Sequence, residues 1–453
     1  MPDSVDLGEL SSFQMQDAER YRDDATGQRG QEPLAIYAPR NAQECALVLR
    51  ILNAARQPCV VQGGRTGLAG GARIRDGEVV LSTERMRGLV EIDDTAGLMR
   101  VGAGTSLEEA QNAAAEAGWM LAADLGARGS ATIGGMIATN AGGPLAVRYG
   151  TFRNQVLGLE AVLADGTIVD RMSGLWKDNT GYNLLQMIMG SEGTLAVITA
   201  AVLRLHSPAR LQTTALCSCA SVKAALDILP RLKRRFGPLL QACEFMMTPL
   251  LEMSAAHRGV NFPFTASAAC YLLIEVASSL EFDLETVLTE MLAEALEEGL
   301  MVDAVLSQSE KDRQDFWRLR EGCNEALDRN CAPLVSLDLS LPIATIPDFL
   351  TQAASLVGTD GSAHAFGHLG DGNIHYIVSG PQRLELVEPL FRLTAAFGGV
   401  ISAEHGLGMD KAEYLEICRS AEEIEVMRRI KVALDPRGIL NPDRIFLSAT
   451  LPN

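Results

Sequence analysis

The residues best suited to chemistry in this chain are histidines gathered near its C-terminal end. Four of the six histidines lie there: His364, His368, His375 and His405. Two polar segments, GHLGDGNIH at 367–375 and SAEHGLG at 402–408, contain three of them. Histidine is the commonest metal ligand in proteins, and its charge changes near neutral pH. The chemistry of the chain is therefore predicted to lie in its C-terminal part.

The dipeptide Asp371-Gly372 between two of these histidines is typical of a two-residue hairpin loop. That loop predicts that His368 lies directly opposite His375, with Cβ atoms roughly 4.5–5.5 Å apart. Glu404 could add a carboxylate. Two histidines and one carboxylate with an open position form a catalytic metal pattern that suits zinc, manganese, iron or cobalt. The alternative is that the histidines only form hydrogen bonds within a turn-rich loop.

The composition is that of a soluble globular protein. The 453 residues suffice for two or three domains. The net charge of −18 argues against nucleic acid as a partner, because phosphate binding requires clustered Lys and Arg. The one basic cluster, at 231–235, is interpreted as a solvated helix face. The sequence contains no apolar run of about eighteen residues, so no membrane span is expected.

The cysteines and the N-terminal sequence indicate a cytoplasmic protein. The nine cysteines are scattered and include no CxxC pair. This is typical of reduced intracellular thiols, and neither a disulfide framework nor a zinc finger is expected. The N-terminal sequence MPDSVDLGEL is acidic and polar, unlike a secretory signal or a transit peptide.

A change of character near Pro208 predicts two main domains in an α+β protein. The expected parts are 1–31, 32–208, 209–434 and 435–453. Strands are predicted at 58–62, 78–82, 98–102, 156–163, 195–205 and 269–276. Helices are predicted at 42–56, 106–117, 221–236, 283–299 and from near Ser420, a good N-cap.

Three glycine-rich segments in the first domain predict a large cofactor. QGGRTGLAGG at 62–71 follows an apolar strand but is neither a Rossmann nor a Walker loop. Alone it is equally compatible with an ordinary turn. Cofactor binding becomes the favoured interpretation because two more such segments follow, DLGARGSATIGGMIATNAGG at 124–143 and GSEGT at 190–194. Glycine is entropically costly to order, so such stretches make sense where backbone lies against a ligand with phosphate and planar parts.

Together these segments resemble a known family. QGGRTGLAGG, DLGARGSATIGGMIATNAGG, VLGLEAVLADGTIV, KDNTGYNL, GSEGTL, GHLGDGNIH, SAEHGLG and DPRGILNP occur in one order. Residues 33–206 resemble the flavin-binding domain of the vanillyl-alcohol-oxidase (PCMH) type, which has two subdomains. The remainder resembles the α/β C-terminal domain of FAD-linked oxidases, which caps the substrate site. Within that family the D-2-hydroxyglutarate and D-lactate dehydrogenases are the most similar.

The resemblance implies a role for particular residues. FAD would contact Gly63, Gly64, Arg65, Thr66, Gly67, Leu68, Leu125, Gly126, Ser130, Thr132, Gly135, Asn140, Gly142, Gly143, Glu192, Ile198 and Asn441. Asn441 would bring the C-terminal segment back to the cofactor. His368, His375 and Glu404 match metal ligands, with zinc expected first, and His405 matches the catalytic base. Arg320 matches the arginine that binds the substrate carboxylate, and Asn373 matches a substrate contact. Residues 1–205 contain no histidine, so FAD is expected to be non-covalent.

Three positions depart from the family pattern. Ser336 stands where a lysine is usual, and Asn324 stands where Thr or Ser is common; both belong to the expected substrate-binding set. Loss of a cation beside Arg320 weakens binding of a dianion, so the substrate could differ from 2-hydroxyglutarate. Arg65 replaces an asparagine, and it could touch the pyrophosphate or face solvent.

The expected reaction is FAD-dependent, metal-assisted oxidation of a D-2-hydroxy acid to the 2-oxo acid, with D-2-hydroxyglutarate as the first candidate. The alternatives are D-lactate or another D-2-hydroxy acid, a glycolate-oxidase-type flavoprotein subunit that only transfers electrons, and a metallohydrolase. No NAD fingerprint is present, so the expected electron acceptor is an electron-transfer flavoprotein or a quinone. The oligomeric state is open, and a homodimer is one option.

Overall fold

The computed structural model describes residues 7–88, 90–266 and 268–447, and the chain divides into two compact units. Unit 1 contains the residues up to Gly142, residues 150–207 and the residues from Glu404 onward. Unit 2 contains residues 143–149 and 208–403. The sequence predictions for residues 1–6 and 448–453 lie outside the described residues. No described helix is both long and apolar enough to cross a membrane.

The two units together contain fifteen strands and fourteen α-helices among the described residues. The strands are β1 (Ile36–Tyr37), β2 (Cys59–Gln62), β3 (Val79–Ser82), β4 (Val90–Asp93), β5 (Leu98–Gly102), β6 (Val156–Val162), β7 (Ile168–Arg171), β8 (Val197–Arg204), β9 (Leu211–Cys219), β10 (Leu240–Met247), β11 (Cys270–Ser278), β12 (Met301–Leu306), β13 (Leu334–Ser340), β14 (Ser362–His368) and β15 (Asn373–Ser379). The α-helices are α1 (Ala42–Ala55), α2 (Leu107–Glu116), α3 (Ile133–Thr139), α4 (Ala146–Tyr149), α5 (Leu184–Ile188), α6 (Val222–Phe236), α7 (Leu250–Arg258), α8 (Leu284–Glu297), α9 (Glu310–Glu321), α10 (Cys323–Cys331), α11 (Ile346–Val357), α12 (Val387–Ala396), α13 (Leu415–Cys418) and α14 (Ala421–Leu434).

Unit 1 contains a parallel three-stranded sheet, β1-β3-β2, and an antiparallel five-stranded sheet, β4-β5-β8-β6-β7. The sequence of α1 explains how it packs. Cys45, Val48, Leu49 and Leu52 recur at helical spacing, and all four are fully buried. The side chain of Asn41 caps this helix by accepting a hydrogen bond from the backbone N–H three residues later.

Unit 2 is built on one antiparallel sheet in the order β12-β9-β11-β10-β14-β15-β13. The register places Glu244, His368 and Asn373 in one cross-strand row, and Phe366 and His375 in the next row. Because side chains alternate between the two faces of a strand, these five side chains share one face. Helices α7, α9 and α10 contribute to the hydrophobic cluster on this face.

The predicted strands and helices are confirmed, with differences of only a few residues at their ends. The strand predicted at 195–205 is β8, and the helix predicted at 221–236 is α6. Ser420 forms a capping box with Glu423 at the start of α14. The basic cluster at 231–235 lies in the last turns of α6. Arg235 pairs with two glutamates of α8, and Arg231 pairs with Glu298 directly after that helix.

The chain returns to unit 1 at Glu404, earlier than the return predicted at 435. The backbone N–H groups of Leu407 and Gly408 each donate to the Glu192 carboxylate at 2.8 Å. In α14 the buried ammonium of Lys431 donates to two backbone carbonyls of unit 1 and to a carboxylate one turn later. These polar contacts anchor residues that the sequence analysis placed in the second domain. Residues 143–149, predicted in the first domain, belong instead to unit 2, where Arg148 donates to the carbonyl of Ala277.

The described part of the N-terminal segment packs onto unit 1. Leu10 and Tyr21 are fully buried, and the Tyr21 hydroxyl donates to Glu84 at 2.7 Å. Burial and this hydrogen bond raise the pKa of Tyr21 to about 12. Arg65 places its guanidinium 5.0 Å from the centre of the Tyr21 ring. The segment therefore contacts the first glycine-rich loop through a cation–π pair.

Candidate active site

The histidine hairpin has a longer loop than the sequence predicted. The strands β14 and β15 pair His368 with Asn373, so the loop comprises residues 369–372. The predicted register, with His368 opposite His375, is wrong. The N–H of Gly372 donates to the carbonyl of His368 at 3.1 Å, and this glycine has a positive φ of 88°. The dipeptide signal located the turn correctly but not the number of residues in it.

The two histidines of this hairpin still lie side by side. The register differs from the predicted one by two residues, and a two-residue change keeps each side chain on the same face. His375 becomes a diagonal neighbour of His368, with ring centroids 5.8 Å apart and planes at 78°. The pair therefore presents two imidazoles at one place on the sheet.

A buried carboxylate that the sequence analysis did not single out joins two of the predicted residues. Glu244 of β10 lies opposite His368 and is fully buried. Its Oε1 accepts from Nδ1 of His368, and its Oε2 accepts from Nε of Arg320, both at 2.8 Å. Burial alone would raise the pKa of Glu244, but the charges and hydrogen bonds of these two neighbours outweigh burial and lower it.

A second buried carboxylate, Asp338, lies beside the other histidine. It faces His375 across β13 and β15, with 3.8 Å between Oδ1 and Nδ1. Asp338 also accepts hydrogen bonds from Nδ2 of Asn373 at 2.8 Å and from the N–H of Ala403 at 3.1 Å. At 3.8 Å the His375–Asp338 contact is an ion-pair distance and not a hydrogen bond. The 2.8 Å bond between Nδ1 of His368 and Glu244 is the arrangement that orients a histidine for metal binding through Nε2.

Asn373 carries an unused acceptor in this cluster. Its Nδ2 donates to Asp338 and to the carbonyl of Leu339, and the residue is buried. Its Oδ1 is buried without a hydrogen-bond partner among the described residues. A buried polar atom without a partner is costly, so the position suits a ligand that donates a hydrogen bond.

The predicted substrate residues differ in their surroundings. Arg320 is nearly buried at the end of α9, and its guanidinium carbon lies 4.8 Å from the centre of the Phe366 ring. Asn324 is exposed on α10. Ser336 is exposed on β13 and faces Ile377. Arg320 is therefore held beside Glu244, whereas the side chains of Asn324 and Ser336 are exposed within unit 2.

The segment that carries Glu404 and His405 begins directly after Ala403, the last residue of unit 2. Within unit 1, a Cβ added to Gly142 would lie 2.2 Å from the Glu404 carboxylate, so a larger residue there would displace that side chain. The Glu192 carboxylate accepts the N–H groups at 407 and 408 from the same segment. Burial raises the pKa of Glu192, opposed by these hydrogen bonds and by the charge of Lys411. Two predicted cofactor residues therefore fix the segment of the predicted base.

The predicted cofactor residues of unit 1 show an unusual backbone. Arg65, Asn140, Glu192 and Asn441 have φ angles of 55°, 51°, 52° and 42°, in the left-handed region. Side chains other than glycine seldom adopt this region, and such residues concentrate at functional sites. Asn441 accepts from the N–H of Val61 at 2.7 Å and donates to the carbonyl of Glu192 at 2.6 Å. It thereby joins the C-terminal segment to β2, the strand that leads into the first glycine-rich segment, and to the glycine-rich segment at 190–194.

The glycine-rich segments of unit 1 also leave room for a ligand. Gly64 packs so closely on the backbone of Ser130 that no Cβ would fit. Gly67 and Gly126, by contrast, point into open space. The hydroxyl of Ser191 is buried without a hydrogen-bond partner among the described residues. Open backbone positions and a buried hydroxyl that can donate a hydrogen bond both fit a cofactor with a phosphate part.

The other residues predicted to contact FAD lie in several different parts of the fold. Thr132 caps α3 by accepting from the N–H of Gly135. Ile198 is a core residue of β8, whereas Leu68 is about half exposed. The remaining four residues are Gly63, Thr66 and Leu125 in unit 1, and Gly143 in unit 2.

Comparisons with known proteins agree with this architecture. Residues 33–171 match the family model described as an FAD binding domain, and residues 209–445 match that of the C-terminal domain of FAD linked oxidases. The chain is 37% identical over 425 residues to a probable mitochondrial D-2-hydroxyglutarate dehydrogenase of Oryza sativa subsp. japonica, covering 92% of this chain and 76% of the relative. It is 37% identical over 449 residues to the D-2-hydroxyglutarate dehydrogenase of Xanthomonas citri pv. viticola, covering 96% and 94%.

Solved structures share the fold at low sequence identity. An alkyldihydroxyacetonephosphate synthase superposes with a TM-score of 0.69 at 16% identity, covering 96% of this chain and 82% of that one. The 4-ethylphenol oxidase from Gulosibacter chungangensis gives 0.69 at 18%, covering 98% and 94%. These confirm the predicted two-domain α+β architecture. With the matches to relatives over most of the sequence, they show that the chain is an FAD-linked oxidoreductase of the D-2-hydroxyglutarate dehydrogenase family.

Proposed function

We propose that this protein oxidises a D-2-hydroxy acid to the corresponding 2-oxo acid, with D-2-hydroxyglutarate as the first candidate substrate. The relatives that match most of the chain are named for that acid. The observation that carries the proposal is the cluster in unit 2, where His368 and His375 each have a buried carboxylate on the Nδ1 side. The basic group of Arg320 lies beside the same cluster.

The donor set fits a divalent metal held by His368, His375 and Glu404, with zinc as the first choice. The two imidazoles are already close, and Nδ1 of His368 donates to Glu244, so Nε2 carries the lone pair that a metal needs. Glu404 follows Ala403, whose N–H is bound to the carboxylate beside His375. When bound, the metal would act as a Lewis acid toward the substrate hydroxyl.

The protein's own residues bind the acid and move its proton. Arg320 pairs with a substrate carboxylate through its two Nη groups, because Glu244 accepts a hydrogen bond only from Nε. The Oδ1 of Asn373 accepts a hydrogen bond from the substrate. His405 removes the hydroxyl proton, a role that suits a neutral imidazole near pH 7. Orientation by Arg320 decides which face of the acid is presented for oxidation.

FAD is proposed to sit non-covalently on the glycine-rich segments of unit 1, where it supplies the two-electron acceptor. The open positions at Gly67 and Gly126 and the unused hydroxyl of Ser191 support this placement. Covalent flavins are tethered through histidine or cysteine. Cys45 and Cys59, the cysteines of residues 1–207, are fully buried in the hydrophobic core of unit 1.

A second candidate substrate is a D-2-hydroxy monoacid such as D-lactate. Ser336, Ile377 and His364 form one row across β13, β15 and β14. Burial lowers the pKa of His364, so this row is neutral at pH 7. A neutral row offers no cationic partner for a second substrate carboxylate, and it favours a smaller or uncharged substituent.

The proposed reaction also requires an electron acceptor that reoxidises the flavin. An electron-transfer flavoprotein or a quinone is the proposed acceptor, since the sequence has no NAD fingerprint. The plant relative is named as mitochondrial, whereas the Xanthomonas relative carries no such label. A cytoplasmic location is proposed from the scattered, free cysteines.

The test is an anaerobic titration of the purified yellow holoenzyme with D- and L-2-hydroxyglutarate, D-lactate and D-malate. The proposal predicts that a D-acid bleaches the flavin absorbance and that its L-enantiomer does not. Faster bleaching by D-2-hydroxyglutarate supports the first candidate, and faster bleaching by D-lactate supports the second. A flavin that none of these acids bleaches would exclude both.

A further inference from the structure

We propose that Glu244 is a positioning residue that orients the substrate arginine and a metal ligand together. This inference rests on the proposed function, because it assumes that Arg320 binds a carboxylate and that His368 binds a metal. It adds a residue that no motif indicates. Its consequence is that substrate affinity and metal affinity depend on one buried carboxylate.

The geometry assigns one oxygen of Glu244 to each partner. Oε1 accepts from Nδ1 of His368 and Oε2 accepts from Nε of Arg320, each at 2.8 Å. The side chain is fully buried, so water cannot replace either bond. The strand register contributes as well, because β10 and β14 place Glu244 directly opposite His368. Neither partner can rotate without leaving a buried oxygen unpaired.

Only a carboxylate satisfies both donors at once. Glutamine has the same shape, but it offers one acceptor oxygen and one NH₂ group. In Glu244→Gln, that NH₂ group would face either the Nδ1–H of His368 or the Nε–H of Arg320. One of the two contacts is therefore lost, and the charge that balances Arg320 is lost as well.

The two bonds determine how each partner meets its ligand. Donation from Nδ1 fixes the tautomer of His368 that leaves the lone pair on Nε2. Donation from Nε fixes the plane of the Arg320 guanidinium, and the Phe366 ring, 4.8 Å from the guanidinium carbon, supports that plane. The two Nη groups then remain for a bidentate contact with a carboxylate.

The unit provides a matched control in Glu275. This second buried glutamate lies on β11, on the same face of the sheet, and accepts from Thr214, Gln241, Arg313 and Trp317. It contacts neither Arg320 nor His368 in the hydrogen bonds of the described residues. Glu275→Gln therefore reports the effect of damaging a buried carboxylate network without touching the two proposed partners.

The experiment measures zinc binding to chelator-stripped holoenzyme by calorimetry, and KM and kcat for the best D-acid. Glu244→Gln is expected to weaken zinc binding by about 10–100-fold, the usual cost of removing such an outer partner. KM should also rise more than kcat falls. Glu275→Gln should lower the melting temperature while leaving zinc affinity at the wild-type value. Zinc affinity and KM unchanged in Glu244→Gln would overturn the inference.

Two further results separate the possible failures. If Glu244→Gln does not fold, the tautomer of His368 in zinc-free wild-type protein is read from ¹⁵N-histidine NMR, assigned against His368→Gln. An Nδ1-protonated ring supports the inference, and an Nε2-protonated ring contradicts it. If wild-type protein binds neither zinc nor any D-acid, the proposed function itself fails.

Discussion

The two units prepare their sites with different parts of the chain. The predicted cofactor site of unit 1 depends on the backbone. It contains many glycines, and four of its other residues, among them Glu192 and Asn441, have a positive φ. Unit 2 uses side chains: the buried carboxylates Glu244 and Asp338 beside a pair of imidazoles. The difference teaches that a cofactor site leaves a dense local signal in the sequence. A reaction site assembled from distant strands leaves a sparse one.

The largest effect is expected where the proposed proton transfer is removed. In His405→Ala, flavin reduction by the D-acid should slow by about 10²–10⁴-fold, the usual contribution of a general base. FAD should stay bound, because His405 is not one of the residues predicted to contact the cofactor. Stopped-flow absorbance checks the rate, with His257→Ala, a half-buried histidine of α7 paired with Glu325, as control. Reduction at the wild-type rate would show that His405 is not the base.

A smaller effect is expected at Glu192, which holds the segment of the proposed base. Glu192→Gln retains one acceptor for two backbone N–H groups, so the loop at 404–408 shifts. A displacement of this kind should lower kcat by about 10–100-fold. The control is Glu116→Gln, an exposed glutamate of α2. An unchanged kcat would confine Glu192 to holding the cofactor.

The preference between D-2-hydroxyglutarate and D-lactate should change when a positive charge is introduced at position 336. The variant Ser336→Lys should raise kcat/KM for D-2-hydroxyglutarate relative to D-lactate by about tenfold, since a hydrogen bond to a charged group contributes about 1.5–3 kcal/mol. Steady-state kinetics with both acids measure the ratio. Ser362→Lys, at the outer end of β14, is the control. A ratio equal to wild type would place the distal part of the substrate away from β13.

The smallest effect is expected in the glycine-rich loop at 62–71, which is predicted to contact FAD. Gly67 points into open space and has an ordinary φ, so Gly67→Ala should leave the melting temperature of the apoprotein unchanged. The added methyl group should weaken FAD binding by about tenfold, because overpacking costs about 1–3 kcal/mol. Fluorescence titration with FAD measures the affinity. Wild-type affinity would mean that the loop at 62–71 is an ordinary turn.

The strands, the helices and the presence of an FAD-binding domain in unit 1 could be predicted from the sequence, because each depends on a local pattern of residues. Helical spacing in α1 and the run of β8 identify buried faces directly. The predicted hairpin also occurs, but its loop spans 369–372 instead of two residues. A turn signal locates a reversal, and packing of the strands decides the register.

The carboxylates of unit 2 were not predicted, because their partners are distant in sequence. Glu244 lies within an apolar strand, 76 residues before Arg320 and 124 before His368. The early return of the chain depends on Glu192 in the same way, since its partner Leu407 is 215 residues away. No local pattern records such pairs, and only the folded sheet brings them together.

The most direct test of this division between the units is flavin reduction in metal-depleted holoenzyme. A chelator is removed after treatment, and reduction by the D-acid is followed anaerobically before and after zinc is added back. FAD absorbance should survive chelation, reduction should stop, and added zinc should restore it. Full reduction without metal would contradict the role assigned to His368, His375 and Glu404.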